Sequence, residues 1–212
     1  MKKKLYIMET IPNKVINRLT QYHSILAACI KKGEKTVTSS YMAQLLKIDD
    51  SQVRKDISML NNTGKSRVGY DALELKETIE KTLGFSNPKN AFIIGAGNLG
   101  TALAKYNDFE DYGLRVLALF DIDKNKIGKS INSKPVYDIN ELSKYTKEKN
   151  VEIAILTVPA DFAQSIADFA VKSKIKYIWN FSPAVLSVPV GVDVWNENLM
   201  GNFLQFSYKI SK

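Results

Sequence analysis

The chain has 212 residues, 45% hydrophobic and 25% charged, with a formal net charge of +8. That suffices for one large domain or two small ones, each with a core that needs no staples. A single cysteine, Cys29, excludes an intrachain disulfide and most cysteine metal sites, and suits a reducing compartment. The charge is uneven: residues 1–70 hold 13 of the 30 Lys and Arg but 5 of the 22 Asp and Glu, which leaves 17 of each sign in residues 71–212. A basic module joined to a neutral one points to a polyanionic partner for the first alone. No apolar run reaches the length of a membrane span. Only Leu5-Tyr6-Ile7-Met8 separates Met1-Lys2-Lys3-Lys4 from Glu9, too short for a signal-peptide core, so a cytoplasmic protein without a membrane partner is expected.

Val15, Leu19, Tyr22, Leu26 and Cys29 recur at helical spacing, widened by Ile16, Ile25 and Ile30, with Pro12 in the first turn and Gly33 as the stop. Cys29 reads as a small apolar residue of that face. His23, the only histidine, lies beside the stripe with no evident partner and reads as a surface or half-buried structural residue. Thr38, Ser39 and Ser40 offer a cap for a short second helix containing Met42, Leu45 and Leu46. After Ile48-Asp49-Asp50, with Asp50 as cap, a third helix turns Val53, Ile57 and Leu60 one way and Ser51, Arg54, Lys55 and Ser58 the other, with Gln52 on the flank.

Two short helices across a tight break, the second with a polar face, describe a helix-turn-helix. Its second helix enters the major groove N-terminus first. Arg54 and Lys55 can reach phosphates or guanine, and Gln52 can pair with adenine. Asn61 to Tyr70 suits a short β-wing, with Lys65 and Arg67 placed for phosphates or the minor groove. The plainer alternative is a solvated charged helix and loop. Charge concentrated on the correct helix face favours DNA.

Leu73, Ile79 and Leu83 belong to a fourth helix, which Gly84-Phe85-Ser86-Asn87-Pro88 ends as a domain boundary. Ala91-Phe92-Ile93-Ile94 then runs into Gly95-Ala96-Gly97-Asn98-Leu99-Gly100. This reads as a buried strand, a tight turn, and a helix whose buried face is Leu99, Ala102, Leu103 and Tyr106. That order is the dinucleotide fingerprint. Gly95 allows the turn, Gly97 lets backbone approach a pyrophosphate, and Gly100 lets helix and strand pack closely. The pyrophosphate would rest on N–H groups at the helix start. Asp121, 26 residues after Gly95, ends the apolar run Val116–Phe120. Its carboxylate can accept from an adenosine ribose and repels a 2′-phosphate, which prefers NAD over NADP.

Strands are expected at 91–95, 115–120, 153–158 and 176–179, and helices near 98–106, 139–148 and 160–173. Such alternation builds a parallel sheet covered on both faces. Ligands sit at the carboxyl ends of its strands: at Gly95, at Asp121, at Thr157-Val158-Pro159 and at Asn180. Thr157 and Asn180 can bond a nicotinamide amide or ribose, or serve as ordinary loop residues. In the tail, Leu199, Phe203, Phe206 and Ile210 keep helical spacing, with Met200, Leu204 and Tyr208 alongside. This helix must pack on its own domain or on a partner subunit.

Several stretches, in this order, resemble the redox-sensing transcriptional repressors of the Rex family over nearly the whole chain. They are Ser51-Gln52-Val53-Arg54-Lys55-Asp56, Val68-Gly69-Tyr70, Gly95–Gly100, Phe120-Asp121-Ile122-Asp123, Ala154–Ala160 and Asn180-Phe181-Ser182-Pro183. The resemblance implies an α/β chain with a winged helix-turn-helix DNA-binding domain at 1–84 and a Rossmann-like, parallel-sheet dinucleotide-binding domain at 91–194. A C-terminal helix at 195–212 would be exchanged between the subunits of a homodimer. It implies a repressor rather than an enzyme, with no catalytic or metal-binding residues. Such a repressor binds double-stranded operator DNA when NAD⁺ dominates and leaves it when NADH binds. Tyr106 matches the family's tyrosine near the nicotinamide.

The chain departs from the family pattern in places. Met59-Leu60-Asn61-Asn62-Thr63 stands where an aromatic-glycine run is usual, and Ser66-Arg67 replaces Arg-Gly in the wing, which would alter operator preference. Ser24 and Asn198 stand where many members carry an arginine and an aspartate that couple nicotinamide state to DNA affinity, so weaker NADH/NAD⁺ discrimination is expected. Two rivals to the repressor are an NAD-dependent oxidoreductase and a CoA-binding Rossmann module. The second domain has no histidine and leaves no room for a substrate domain, which opposes the first. The shared glycine turn keeps the second open.

Overall fold

The computed structural model describes residues 11–60, 62, 64 and 68–211. The chain divides into two compact units, one ending at Ser86 and one starting at Asn87.

In the first unit Pro12 precedes α1 (Asn13–Lys31), which buries Val15, Leu19, Tyr22, Leu26 and Cys29 as their spacing requires. Gly33, at φ +83°, ends the helix. After β1 (Thr36–Val37), the Thr38 hydroxyl caps α2 (Ser39–Leu46) by accepting the Tyr41 N–H. Lys47 turns the chain in the left-handed region, and α3 (Asp50–Ser58) follows. The cap is Asp49, not Asp50: its carboxylate accepts the Ser51 N–H at 2.7 Å. The sharp turn at Lys47 brings the chain into helical register one residue earlier than the expected cap. β2 (Tyr70–Asp71) pairs antiparallel with β1, Val37 opposite Tyr70, and Asp71 caps α4 (Ala72–Leu83). A Cβ on Gly69 would lie 2.6 Å from the Val37 carbonyl oxygen, so only glycine passes there. Lys65 and Arg67 lie outside the described residues.

Leu19, Tyr22, Leu26, Met42, Val53, Ile57, Leu75 and Ile79 form one core among the four helices. His23 belongs to it as well. The expectation of a surface or half-buried residue without a partner is corrected: His23 is 4% exposed, its Nε2 lies 2.9 Å from Glu80 Oε1, and its ring meets the edge of Phe85. Glu80 of α4, 57 residues from His23 in sequence, supplies the partner, which local periodicity cannot reveal.

The second unit runs β3 (Lys89–Ile94), α5 (Asn98–Ala104), a 3₁₀ turn (Asn107–Tyr112), β4 (Leu114–Asp121), β5 (Ser130–Ile131), β6 (Lys134–Asp138), a 3₁₀ turn (Ile139–Glu141), α6 (Leu142–Lys149), β7 (Ile153–Leu156), α7 (Ala160–Lys172), β8 (Tyr177–Asn180), β9 (Asp193–Asn196) and α8 (Leu199–Ile210). The sheet order is β5-β6-β4-β3-β7-β8-β9, parallel throughout except for the β5–β6 pair. Central β3 buries Ala91, Phe92, Ile93 and Ile94, as a strand covered on both faces must. Three strands beyond the four expected were hidden from periodicity. β6 buries only Val136 and β9 buries nothing, so neither carries an apolar run.

The expected buried face of the fingerprint helix is corrected. α5 ends at Ala104, and its buried residues are Gly100 and Ala104. Leu99, Ala102 and Tyr106 are exposed and Leu103 is half-buried. A Cβ on Gly100 would lie 1.9 Å from the Gly95 carbonyl oxygen. Backbone contact at Gly100 therefore sets the rotation of the helix, and the residue one turn later, Ala104, follows it inward.

Candidate functional site

The strand order reverses at β3: the chain moves outward to β4 and β6, then returns to the other side of β3 as β7. In open α/β sheets the crevice at such a reversal, beyond the carboxyl ends of the strands, is where ligands lie. A cleft of about 490 Å³ opens there. Gly95 sits at its base at φ +106°, its N–H donating to the Phe120 carbonyl at 2.8 Å. The Thr157 hydroxyl donates to the Gly95 carbonyl at 2.8 Å, and the Thr157 N–H reaches the Ile94 carbonyl. These bonds clamp the turn between β3 and β7. A Cβ on Gly97 would meet nothing within 4 Å, so the outer side of the turn is open.

Asp121 closes the rim. Its Oδ2 accepts the Ala96 N–H at 2.7 Å and the Lys126 ammonium at 3.1 Å, while Oδ1 accepts the Asp123 N–H at 2.9 Å. Burial pushes this carboxyl up, but the Asp123 and Ala96 N–H groups and the Lys126 ammonium outweigh it and hold it below the usual carboxylate range. Ile94, Phe120, Ile139, Val158, Phe162 and Ile166 make apolar walls. An apolar slot for a flat base, a carboxylate at a strand end and an open glycine turn together suit the adenosine-diphosphate half of a dinucleotide.

Of the residues expected to hold a nucleotide, Gly95, Gly97, Asp121, Thr157, Val158 and Pro159 line the cleft. Ala96 and Gly100 are packed beneath the turn, and Asn98 and Leu99 start α5. Tyr106 is half-exposed against the edge of Phe109. Asn180 has a structural task. It is fully buried, with Nδ2 donating to the Ala184 carbonyl and Asn196 Oδ1, and Oδ1 accepting the Ser182 N–H. Sequence reasoning missed Lys126 and Phe162. Phe162 and Ile166 are one helical turn apart on α7, which was the available signal.

In the first unit α3 buries Val53, Asp56 and Ile57 and exposes Ser51, Arg54, Lys55 and Ser58 on one outer face. Arg54 pairs with Asp50 through Nη1–Oδ2 at 2.5 Å and Nη2–Oδ1 at 3.0 Å, and this bond raises the guanidinium pKa. Gln52 is half-buried and turns towards Asp56. Among the described residues no group of three or more His, Cys, Asp and Glu could hold a metal, and no helix is long and apolar enough to cross a membrane.

Residues 86–184 match the family model described as "CoA binding domain", and residues 10–58 match "Putative DNA-binding protein N-terminus". The chain is 39% identical over 204 residues to the redox-sensing transcriptional repressor Rex of Clostridium botulinum (strain Hall), covering 96% of this chain and 97% of that protein. It is 40% identical over 202 residues to that of Carboxydothermus hydrogenoformans, covering 95% and 97%. Two solved structures are similar throughout. One is RSP in complex with β-NAD⁺ and operator DNA, with a TM-score of 0.86 at 34% identity over 94% of this chain and 92% of that one. The other is RSP in complex with β-NADH, with a TM-score of 0.82 at 36% identity over 95% and 94%.

Proposed function

The chain belongs to the Rex family of redox-sensing transcriptional repressors, and we infer from that membership that one polypeptide joins an operator-binding unit to a nicotinamide-nucleotide sensor. It is a DNA-binding repressor that responds to the NADH/NAD⁺ ratio, held on its operators when NAD⁺ dominates and released by NADH. The observation that carries the reading is the tie between the glycine turn and Asp121 at the rim of an apolar cleft, on the same chain as a helix with a cationic outer face.

The residues divide by task. Gly97, Asn98 and Leu99 present backbone to the pyrophosphate, and Gly95, Ala96 and Gly100 shape the turn that holds them there. Asp121 accepts the adenosine ribose, and Val158 and Pro159 wall the cleft. Thr157 holds the turn, Asn180 holds the loop behind it, and Tyr106 serves the nicotinamide end. NAD supplies the signal, because its nicotinamide is cationic when oxidised and neutral when reduced. Ser51, Gln52, Arg54, Lys55 and Ser58 serve the major groove, and Lys65 and Arg67, in the wing sequence outside the described residues, are assigned to the phosphates or the minor groove. The two ligands are coupled by a free energy that works in both directions: the nucleotide that weakens operator binding is itself bound less tightly by the operator complex.

The protein is a regulator rather than an enzyme and works in the cytoplasm, where its operators lie. It acts as a homodimer through α8, whose large apolar side chains are all more than half exposed. The match to a CoA binding domain supports CoA as a second occupant of the same turn. Competition between CoA and NADH, followed by NADH fluorescence, decides between them. The repressor reading is tested by a gel shift on the upstream region of a fermentative or respiratory gene, with NAD⁺ and NADH added separately. Retention with NAD⁺ and release by NADH supports it; a shift that neither nucleotide changes overturns it.

A further inference from the structure

Four aromatic rings of the second unit touch in a row. The Tyr106 ring meets the edge of Phe109 with 4.9 Å between centroids. Phe109 lies tilted against Trp179 at 5.8 Å, and Trp179 against Phe181 at 5.0 Å. Phe109, Trp179 and Phe181 are half-buried against the core that takes in Ala104 of α5, whereas Tyr106 is half-exposed. The inner end of the row is anchored: Trp179 Nε1 donates to Glu197 Oε1 at 2.7 Å. Glu197 is itself fixed just beyond β9, where its N–H donates to the Asn180 carbonyl at 2.8 Å.

The row stands at a defined part of the nucleotide site. Asp121, the proposed acceptor for the adenosine ribose, ends β4. A dinucleotide laid across the reversal of strand order at β3 then carries its other half over the ends of β7 and β8. Trp179 and Phe181 flank Asn180, the last residue of β8, so the row lies on that far side. Alternation along β8 sends Ile178 to the opposite face of the sheet, with the α7 residues Ala163 and Ala167, and keeps Trp179 on the face of Ala104. None of the four rings, nor Glu197, lines the cleft around Asp121 and the glycine turn. The row therefore bears on one half of the ligand alone.

We propose that Phe109, Trp179 and Glu197 are positioning residues for the nicotinamide half of the nucleotide, holding the Tyr106 ring in place from behind. Two χ angles orient an indole, and the bond to Glu197 selects one setting of them. Without that bond Trp179 turns, and Phe109 and then Tyr106 lose the surface on which each rests. This inference rests on the nucleotide reading above, in which Tyr106 serves the nicotinamide end, and adds residues that reading does not assign.

The test is calorimetric titration of the full-length protein with NADH and with ADP-ribose, which keeps the adenosine, the diphosphate and the second ribose but lacks the nicotinamide. Glu197→Leu removes the acceptor and leaves the backbone bond to Asn180. It is expected to weaken NADH about fivefold to tenfold, the worth of a lost aromatic contact, and to leave ADP-ribose binding unchanged. Glu197→Gln keeps an acceptor oxygen and should retain most of the NADH affinity. Trp179→Phe keeps a ring without the N–H and should match Glu197→Leu, with the double variant no worse than either. An equal loss for both ligands marks damage to the fold rather than positioning and overturns the inference. So does a Glu197→Gln variant as weak as Glu197→Leu, an NADH affinity that no variant alters, or a wild type that binds ADP-ribose as tightly as NADH. A wild type that binds neither ligand overturns the nucleotide reading and the inference with it.

Discussion

The Ala96 N–H donates to Asp121 Oδ2 at 2.7 Å, so the residue after the turn glycine is fastened directly to the end of the adjacent strand. The same carboxylate is the proposed acceptor for the adenosine ribose. Asp121→Ala removes both bonds at once. Hydrogen bonds to charged groups contribute about 1.5–3 kcal/mol each, so NADH affinity is expected to fall at least about tenfold. Titration of NADH fluorescence measures it, and an unchanged affinity would remove Asp121 from the site.

Gly97 and Gly100 separate folding from binding. A Cβ at 97 meets open space, whereas one at 100 meets the Gly95 carbonyl oxygen at 1.9 Å. Gly100→Ala must push α5 off the sheet and is expected to destabilise the unit by about 2 kcal/mol or more. Gly97→Ala is expected to leave the thermal midpoint almost unchanged and to weaken NADH binding, because its methyl group occupies the pyrophosphate approach. Thermal melts and NADH titrations on both variants show whether the two effects separate.

Arg54 reaches the solvent already paired with Asp50. An exposed pair of this kind contributes about 0–1 kcal/mol, so DNA can take the guanidinium from it. Asp50→Asn removes a negative charge from the groove-facing end of α3 and is expected to tighten operator binding a few-fold. Arg54→Ala should weaken it about tenfold. Lys55→Ala should lower the slope of log affinity against log salt by about one. Gel shifts at several salt concentrations distinguish the three.

The pH dependence of stability follows from Asp56. Its folded-state pKa lies below its unfolded value of about 3.9, so the folded chain binds the proton less readily. The stabilisation is complete above that unfolded value and fades as pH falls through the folded one. Asp121 and Glu80 are depressed in the same direction. Urea midpoints should be level from about pH 7 to pH 5 and fall steeply below about pH 4. Asp56→Asn should blunt that fall and cost about 3 kcal/mol at neutral pH, since it strands the Arg18 charge. Arg18 remains 23% exposed, which keeps the cost at the low end.

Ser24 and Asn198 stand at positions where the family resemblance implies charges. Ser24 Oγ donates to the Thr20 carbonyl, and Asn198 caps α8 by accepting the Gly201 N–H. Introducing Ser24→Arg together with Asn198→Asp keeps a capping side chain at 198. The pair is expected to sharpen the ratio of operator affinities measured with NAD⁺ and with NADH. A ratio unaltered by the double variant would show that these positions do not tune the response.

Much of this was legible because the signals are local. The apolar stripe of α1, the Gly95–Gly100 turn and the run into Asp121 each declare themselves within a few residues. What stayed hidden depends on partners distant in sequence. The His23 environment is completed by Glu80, Asn180 is locked by Asn196 and Ala184, and Lys126 is recruited by Asp121 only once the loop folds back. The inward face of α5 was misread because apolar spacing favoured Leu99 and Ala102. A steric rule at Gly100, invisible to hydrophobicity, chose the rotation instead.

Leu199, Met200, Phe203, Leu204, Phe206, Tyr208 and Ile210 stand in water on a helix with no buried residue. If the proposed homodimer covers those side chains, its association energy adds to the native state, and the apparent melting point rises with the amount of protein present. Dilution would loosen such a molecule before heat does.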